Sequence, residues 1–323
     1  MNRRSFLAAA CTAALAAHVR AAEQARGKVF RVLMTAGGTN PRSASFYVAF
    51  ERRLRELGWV DGGNIVVEFA DDTKQPLDAA VKGAVERGVD VIMVPGPDDA
   101  LKFAAAATRT IPIVMVALNY DPVEKGYVKS LARPGGNITG VFFRNGEVGA
   151  KQLELLRTAI PSATRVGVLS SKYSIDQMRA IEVAASRLGM QLDKADLSGP
   201  YDIGQILSGL KARHVDAVLV VGDPITFRDR ARIVEAALAQ RLPTVGGIYL
   251  AQAGSLIGFG PNLEAALQTA AEYVDKILRG ASPAELPIEQ PTKFGLVINQ
   301  KTARALGVVL PQALLVRADE VIE

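Results

Sequence analysis

Two stretches of this chain say nearly the same thing, and no other feature limits its possible folds as tightly. Arg87 to Asp99 reads RGVDVIMVPGPDD, and Arg213 to Pro224 reads RHVDAVLVVGDP. Each is a run of β-branched and apolar residues entering a Gly/Pro turn that opens a helix. Val89-Asp90 recurs as Val215-Asp216, and Gly96 recurs as Gly222. A short continuous apolar run of this kind suits a strand buried on both faces, which is the habit of parallel sheets. The pair predicts two lobes, each built on a strand that ends in a loop.

The rest of the chain supports that reading. Val29 to Met34 is an apolar strand, followed by the loop containing Gly38, Thr39 and Asn40. Phe46, Phe50, Leu54 and Leu57 fall on one face of a helix that Gly58 ends. A strand is predicted over 65–69, helices over 77–87 and 98–108, and a strand over 111–116. After the loop Asn119 to Asp121 a helix is expected to run to about Arg133, and then a strand over 138–142. From Arg165 the pattern restarts, with strands over 165–169, 191–196 and 217–221 and helices over 175–188, 203–211 and 225–240. Arg31, Leu57, Val89 and Pro112 recur as Arg165, Leu188, Val215 and Pro243, in the same order and at nearly constant spacing. A helix over 263–278, a Pro-rich linker, a strand over 294–298 and a helix over 301–306 complete the chain. The expected class is α/β: two similar parallel-sheet lobes with helices on both faces. The boundaries read as residues 28–141 plus 261–281 for the first lobe and 145–258 plus 288–323 for the second.

The first 21 residues, MNRRSFLAAACTAALAAHVRA, have the form of an export signal: a basic start, an alanine-rich apolar run and a small-residue exit. Arg3-Arg4-Ser5-Phe6-Leu7 suits twin-arginine export, and a general secretory signal with two chance arginines is the other reading. Cleavage is expected near Ala21, with a periplasmic destination. Without that segment the formal charge falls from +5 to about +2, because Arg3, Arg4 and Arg20 lie within it and no acid does. Such a balance gives no argument for nucleic acid or an anionic membrane. The single cysteine, Cys11, goes with the signal, so a disulfide framework, a cysteine nucleophile and a cysteine zinc site are excluded from the remainder. No later stretch reaches membrane-spanning length. The mature chain is expected to span no membrane and to be a monomer.

Ligands of parallel α/β sheets bind beyond the C-terminal ends of the strands, and two facing lobes place those ends across a cleft. Candidate ligand-binding residues of the first lobe are therefore Gly38, Thr39, Asn40, Gly96, Pro97 and Asp98, with Asn119 and Asp121. Those of the second are Ser171, Tyr173 and Ser174, then Asp223 and Tyr249. Asp98 and Asp223 carry two readings: helix N-capping or a partner for a ligand ammonium. Phe142 also carries two, core packing or stacking on a flat ligand. His214 precedes a strand at the far end and reads as a turn residue. G-x-G-x-x-G, G-x-x-x-x-G-K-[ST] and G-x-S-x-G are all missing, so nothing calls for a cofactor, a metal or a catalytic residue.

The stretches LRELGWVDGGNIVVEFADD (54–72), LARPGGNITGV (131–141), the run from Gly260 to Gly307 and the closing LLVRADEVIE resemble the substrate-binding proteins of ABC importers. The branch is the one that includes tryptophan- and tyrosine-binding lipoproteins. The resemblance implies a type I periplasmic-binding-protein fold with three crossovers, a cleft that closes on a small-molecule ligand, and an importer permease and ATPase as partners. Three places depart from the family's usual residues: Pro95 to Asp99, Ser170 to Ser174, and Phe142. They bear on whether the ligand is a standard amino acid. A ligand-sensing module of a signalling system and an exported α/β hydrolase are the alternative functions.

Overall fold

Apolar runs become strands here because both faces of each sheet are covered. The computed structural model describes residues 27–35, 42, 44–70, 75–143, 147–291 and 294–323. In the first lobe the order along the chain is β1 (Phe30–Met34), α1 (Ser45–Glu56), β2 (Ile65–Phe69), α2 (Leu77–Glu86), β3 (Val91–Gly96), α3 (Asp98–Ala107), β4 (Ile113–Leu118) and β5 (Ile138–Phe143). The five strands form one parallel sheet in the order β2-β1-β3-β4-β5. Side chains alternate across it, as the strand pleat requires. Val32, Met34, Val91, Met93, Val114 and Val116 face α1. Leu33, Ile92, Val94, Ile113 and Met115 face α2 and α3.

The second lobe repeats the scheme. It contains α4 (Val148–Ala159), β6 (Arg165–Ser170), α5 (Ile175–Arg187), β7 (Gln191–Asp196), α6 (Ile203–Ala212), β8 (Ala217–Val220), α7 (Pro224–Arg228), α8 (Arg230–Ala239), β9 (Thr244–Gly246), α9 (Ile248–Gln252) and β10 (Ile257–Pro261). The chain then returns to the first lobe as α10 (Leu263–Leu278), whose alanine-rich face packs beside α1. It comes back to the second lobe as β11 (Phe294–Asn299), α11 (Gln300–Leu306), α12 (Gln312–Val316) and β12 (Glu320–Ile322). The seven-stranded sheet runs β12-β11-β10-β9-β8-β6-β7, with only the β10–β11 pair antiparallel. The chain thus passes between the lobes three times: after β5, after β10 and before β11.

The linker after α10 stays on the first lobe through Glu289. The Thr139 hydroxyl donates to the Leu286 carbonyl at 2.8 Å, Ile288 is buried against Phe142 and its neighbours, and Glu289 bridges Val141. β5 also lies close against β4: a Cβ on Gly140 would stand 2.1 Å from the Met115 carbonyl oxygen, and Gly140 has φ 133°. Only glycine fits there.

Several sequence expectations need correcting. No helix joins β4 to β5; residues 119–137 form turns. Pro122 and Pro134 lack donors, and Gly126 and Gly135 take φ of 75° and 72°, so the chain turns rather than coils. The fourth strand lies over Ile113–Leu118, two residues beyond the predicted range. The single helix expected over 225–240 is two helices, broken at Asp229. Tyr249 lies on α9 rather than in a loop. The α12 and β12 elements at the C-terminus had no counterpart in the sequence reading.

Candidate functional site

The ends of β6 and β8 are locked together by one carboxylate. Asp223 N-caps α7, its Oδ1 accepting from the backbone N–H of Ile225 at 2.8 Å and of Thr226 at 2.9 Å. Its Oδ2 accepts from the Ser171 hydroxyl at 2.8 Å and lies 3.2 Å from the Ser174 hydroxyl. Thr226 returns a bond to the Asp223 N–H at 3.0 Å, and Ser174 does the same for Ser171 at 3.0 Å, so two reciprocal capping boxes share one acid. Asp223, Ser171 and Ser174 are all buried. Both oxygens thus have partners within the lobe, with the single Ser174 hydrogen shared between Asp223 and the Ser171 carbonyl at 3.0 Å.

Asp98 behaves differently from either sequence reading. It does not cap: Pro97 holds the N-cap position of α3 and no side chain caps that end. Asp98 is the first helical residue, and its oxygens face residues that lie far along the chain. The Tyr127 hydroxyl donates to Oδ1 at 2.6 Å, and Lys125 Nζ lies 3.3 Å from Oδ2. Burial, together with that bond and the Asp98 charge, raises the Tyr127 phenol well above its usual range. Asp121 caps its own turn at Val123 N, 2.8 Å away. Gly96 ends β3 at φ 121°.

Asn119 reaches across to the other lobe. It follows β4 in the left-handed region at φ 70°, which asparagine tolerates better than most side chains. Its Nδ2 donates to the Gly222 carbonyl at 2.9 Å, and Gln177 Nε2 donates to the same oxygen at 3.2 Å. A ring contact also joins the lobes. Phe46 of α1 lies 5.5 Å from Phe227 of α7, and Phe227 lies 5.0 Å from Tyr249. The Tyr249 hydroxyl is sealed from solvent beside the Thr226 hydroxyl. Burial pushes its phenol up to about 12; Asp223 pushes the same way, while Thr226 and Arg230 pull against it. A Cβ at Gly222 would stand 3.4 Å from that hydroxyl.

The structure thus brings Asn119, Ser171, Ser174, Asp223 and Tyr249 to one junction between the lobes, directly or through Gly222 and Phe227. Tyr173 sits beside it, its ring under Lys172. Phe142 is core, 2% exposed, among Ile138, Ile288 and Tyr120. Gly38, Thr39 and Asn40 lie outside the described residues. His214 sits in the turn before β8 with φ 60°, at the opposite end of the strand. Four residues escaped the sequence reading. Phe46 read only as part of a helix face, and Phe227 went unremarked within the helix expected over 225–240. Thr35, the first residue after β1, keeps a buried hydroxyl without a partner; its position was the available signal. Arg230 was hidden inside a helix expected to be continuous. A small depression lined by Glu51, Arg55, Trp59 and Asp61 opens near the start of β2, at the other edge of the first sheet. Its Trp59 indole is committed to Asp275 at 2.8 Å.

A family model described as ABC transporter substrate binding protein matches residues 43–322. The chain belongs to that family. This substrate-binding protein is 27% identical over 263 residues to the "Tyrosine-binding protein" of Clostridioides difficile (strain R20291), covering 80% of this chain and 75% of the relative. Two solved structures share its fold. A conserved domain protein from Vibrio cholerae superposes with TM-score 0.79 at 23% identity, over 91% of this chain and 100% of the other. The ABC domain in complex with L-Trp from Streptococcus pneumonia gives TM-score 0.77 at 23% identity, again over 91% and 100%. The substrate-binding protein is therefore a solute receptor of an ABC importer, with two α/β lobes of the type I periplasmic arrangement. Among the described residues no helix is long and apolar enough to cross a membrane.

Proposed function

We propose that this protein is exported, loses its first 21 residues, and captures a small organic molecule between its lobes for hand-over to a permease and ATPase. The observation that carries the reading is the junction itself: Asn119 of one lobe bonds Gly222 of the other at the ends of β4 and β8. A ligand that touches both lobes there stabilises the arrangement in which they meet, and that differential affinity is what couples binding to closure. The Phe46–Phe227–Tyr249 cluster, with its rings inclined at 60° and 64° to one another, supplies apolar surface where the lobes meet. The relatives that bind tyrosine or hold L-Trp support an amino-acid-like or aromatic ligand. No bond needs to be made or broken, so the role is binding without catalysis. The two arginines and the alanine-rich run of residues 1–21 support the export step.

Thermal shift against a library of small metabolites, aromatic amino acids included, tests the reading. A binder at a hundred times its Kd adds roughly 2.7 kcal/mol of stability, which raises Tm by several degrees. A library that moves Tm with no member would sink the proposal.

A further inference from the structure

Each of the two repeated strand-and-turn stretches carries an acid just beyond its glycine, Asp98 after Gly96 and Asp223 after Gly222. Asp223 holds a neighbouring loop through Ser171 and Ser174. Asp98 does the same in the other lobe, where the loop is the segment between β4 and β5. That segment contains no helix, so its shape depends on what grips it. The linker grips its second half: the Ile288 N–H donates to the Leu131 carbonyl at 2.7 Å, and the Gly135 N–H to the Ala284 carbonyl at 3.1 Å. Asp98 grips its first half, accepting from the Tyr127 hydroxyl at 2.6 Å and lying 3.3 Å from Lys125 Nζ.

That grip reaches the junction between the lobes. The Tyr127 ring meets Tyr120 edge-on, with 6.3 Å between centroids and 76° between planes. Tyr120 is 6% exposed and belongs to the same buried cluster as Leu101, Val128 and Phe142. The residue before it is Asn119, whose φ of 70° is a conformation that asparagine visits but does not prefer. From there Nδ2 donates to the Gly222 carbonyl at 2.9 Å, and Gly222 is the residue before Asp223. The two acids thus stand at opposite ends of one chain of contacts: Asp98, Tyr127, Tyr120 and Asn119 in one lobe, Gly222 and Asp223 in the other. Tying Tyr127 down limits how Tyr120 can pack, and so how Asn119 can stand.

We infer that Asp98 is a positioning residue for lobe closure: by holding Tyr127 it fixes Tyr120 and so keeps Asn119 aimed at Gly222. It acts through other residues rather than by contact with a ligand. This rests on the solute-receptor reading, because closure on a solute is what the Asn119 bond serves.

The test is read in the free protein and needs no ligand. The single cysteine, Cys11, lies in the first 21 residues, so the chain without them takes spin labels only at engineered sites. Arg52→Cys on α1 and Val183→Cys on α5 place one label on each lobe, both at exposed positions. Double electron–electron resonance then gives the ratio of separated to joined lobes. Tyr127→Phe, which keeps the ring and removes only the donor, should raise that ratio about two- to tenfold, the range expected for one hydrogen bond. Asp98→Ala should raise it at least as much. Asp98→Asn keeps an oxygen for the Tyr127 hydroxyl and should hold the ratio near wild type. Lys125→Gln should do so too, because a half-exposed ion pair contributes little. In an Asn119→Gly background neither Tyr127→Phe nor Asp98→Ala should have a further effect, since the bond they serve is gone. A purely structural role for Asp98 would lower Tm and leave the ratio alone. An unchanged ratio in Tyr127→Phe and Asp98→Ala, or a full further rise on top of Asn119→Gly, would overturn the inference. Either result leaves the receptor reading standing, because that reading fails on the metabolite screen alone.

Discussion

Asp223 shows how one side chain can serve two loops. Its carboxylate ends four hydrogen bonds that start on two strand ends, and the residues involved are buried. In such surroundings a fully satisfied network stiffens the structure, whereas a partly satisfied one is costly. Asp223→Ala would strand two amides and the Ser171 hydroxyl, while Ser174 keeps its bond to the Ser171 carbonyl. The expected loss is on the order of 2–4 kcal/mol of unfolding free energy, combining a lost N-cap with unsatisfied donors. Asp223→Asn keeps an oxygen for the amides and should lose about half as much, since the serine hydroxyls can rotate to accept. Urea unfolding of both variants measures it; equal stability of wild type and Asp223→Ala would refute the account. The Gly222-Asp223-Pro224 spelling made this cap legible from sequence, because a polar residue followed by proline marks a helix start. The serine partners lie 52 and 49 residues away, and no local pattern announces them.

The break between α7 and α8 is an element-level consequence of a buried acid. Asp229 has φ −92° and ψ 11°, serves as the C-cap of one helix and the N-cap of the next, and is held by Tyr201 and by Arg228 at 3.0 Å. Burial alone would raise its carboxyl, but hydrogen bonds from Arg228 and Tyr201 and the arginine charges outweigh it and leave it below the usual range. A lowered native pKa gives stability that is complete above the unfolded value of about 3.9 and drains as pH falls through the native one. Asp229→Asn should therefore be less stable than wild type at pH 7, with the gap closing below about pH 4. Unfolding free energies measured from pH 7 to pH 3 check this, and a gap that stayed constant across the range would contradict it. The elements themselves were legible wherever periodicity was strong: α10 spans the residues that its apolar spacing picks out, and β2 and β7 keep their predicted limits. Legibility failed where tertiary contacts override local pattern. The apolar spacing over 225–240 continues through Asp229, and only the side chains packed around that acid stop the helix. Residues 123–133 look helical until Pro134 and Gly135 tie them to the linker through the Ala284 carbonyl. The two-lobe plan was visible because the repeat spans more than a hundred residues, and such a repeat does not depend on any one element.

At the scale of the whole molecule, function depends on how the two lobes share free energy with a ligand. Among the described residues, the Asn119 bond to Gly222 and the Phe46 ring against Phe227 are specific contacts between them. Each is worth roughly 0.5–1.5 kcal/mol by the usual measure of a hydrogen bond or an aromatic pair. That is small against the stability of either lobe but comparable to an open–closed balance. If the joined arrangement is the one that binds tightly, the apparent Kd equals the intrinsic one divided by the fraction joined. Losing about 1 kcal/mol of inter-lobe contact then weakens binding roughly fivefold, with no ligand contact removed. Asn119→Gly is the clean variant, because glycine accepts φ 70° and the backbone is spared the strain that alanine would add. Phe46→Ala removes the ring contact from the other side of the junction. Each should raise Kd about two- to tenfold and expand the free protein in solution scattering, while the ligand-bound form keeps wild-type dimensions. Because both contacts act on one equilibrium, the double variant should weaken binding further without opening the bound state. Unchanged affinity with an expanded free form would mean that the ligand binds one lobe alone. Unchanged scattering with weakened affinity would mean that these side chains touch the ligand rather than hold the lobes together.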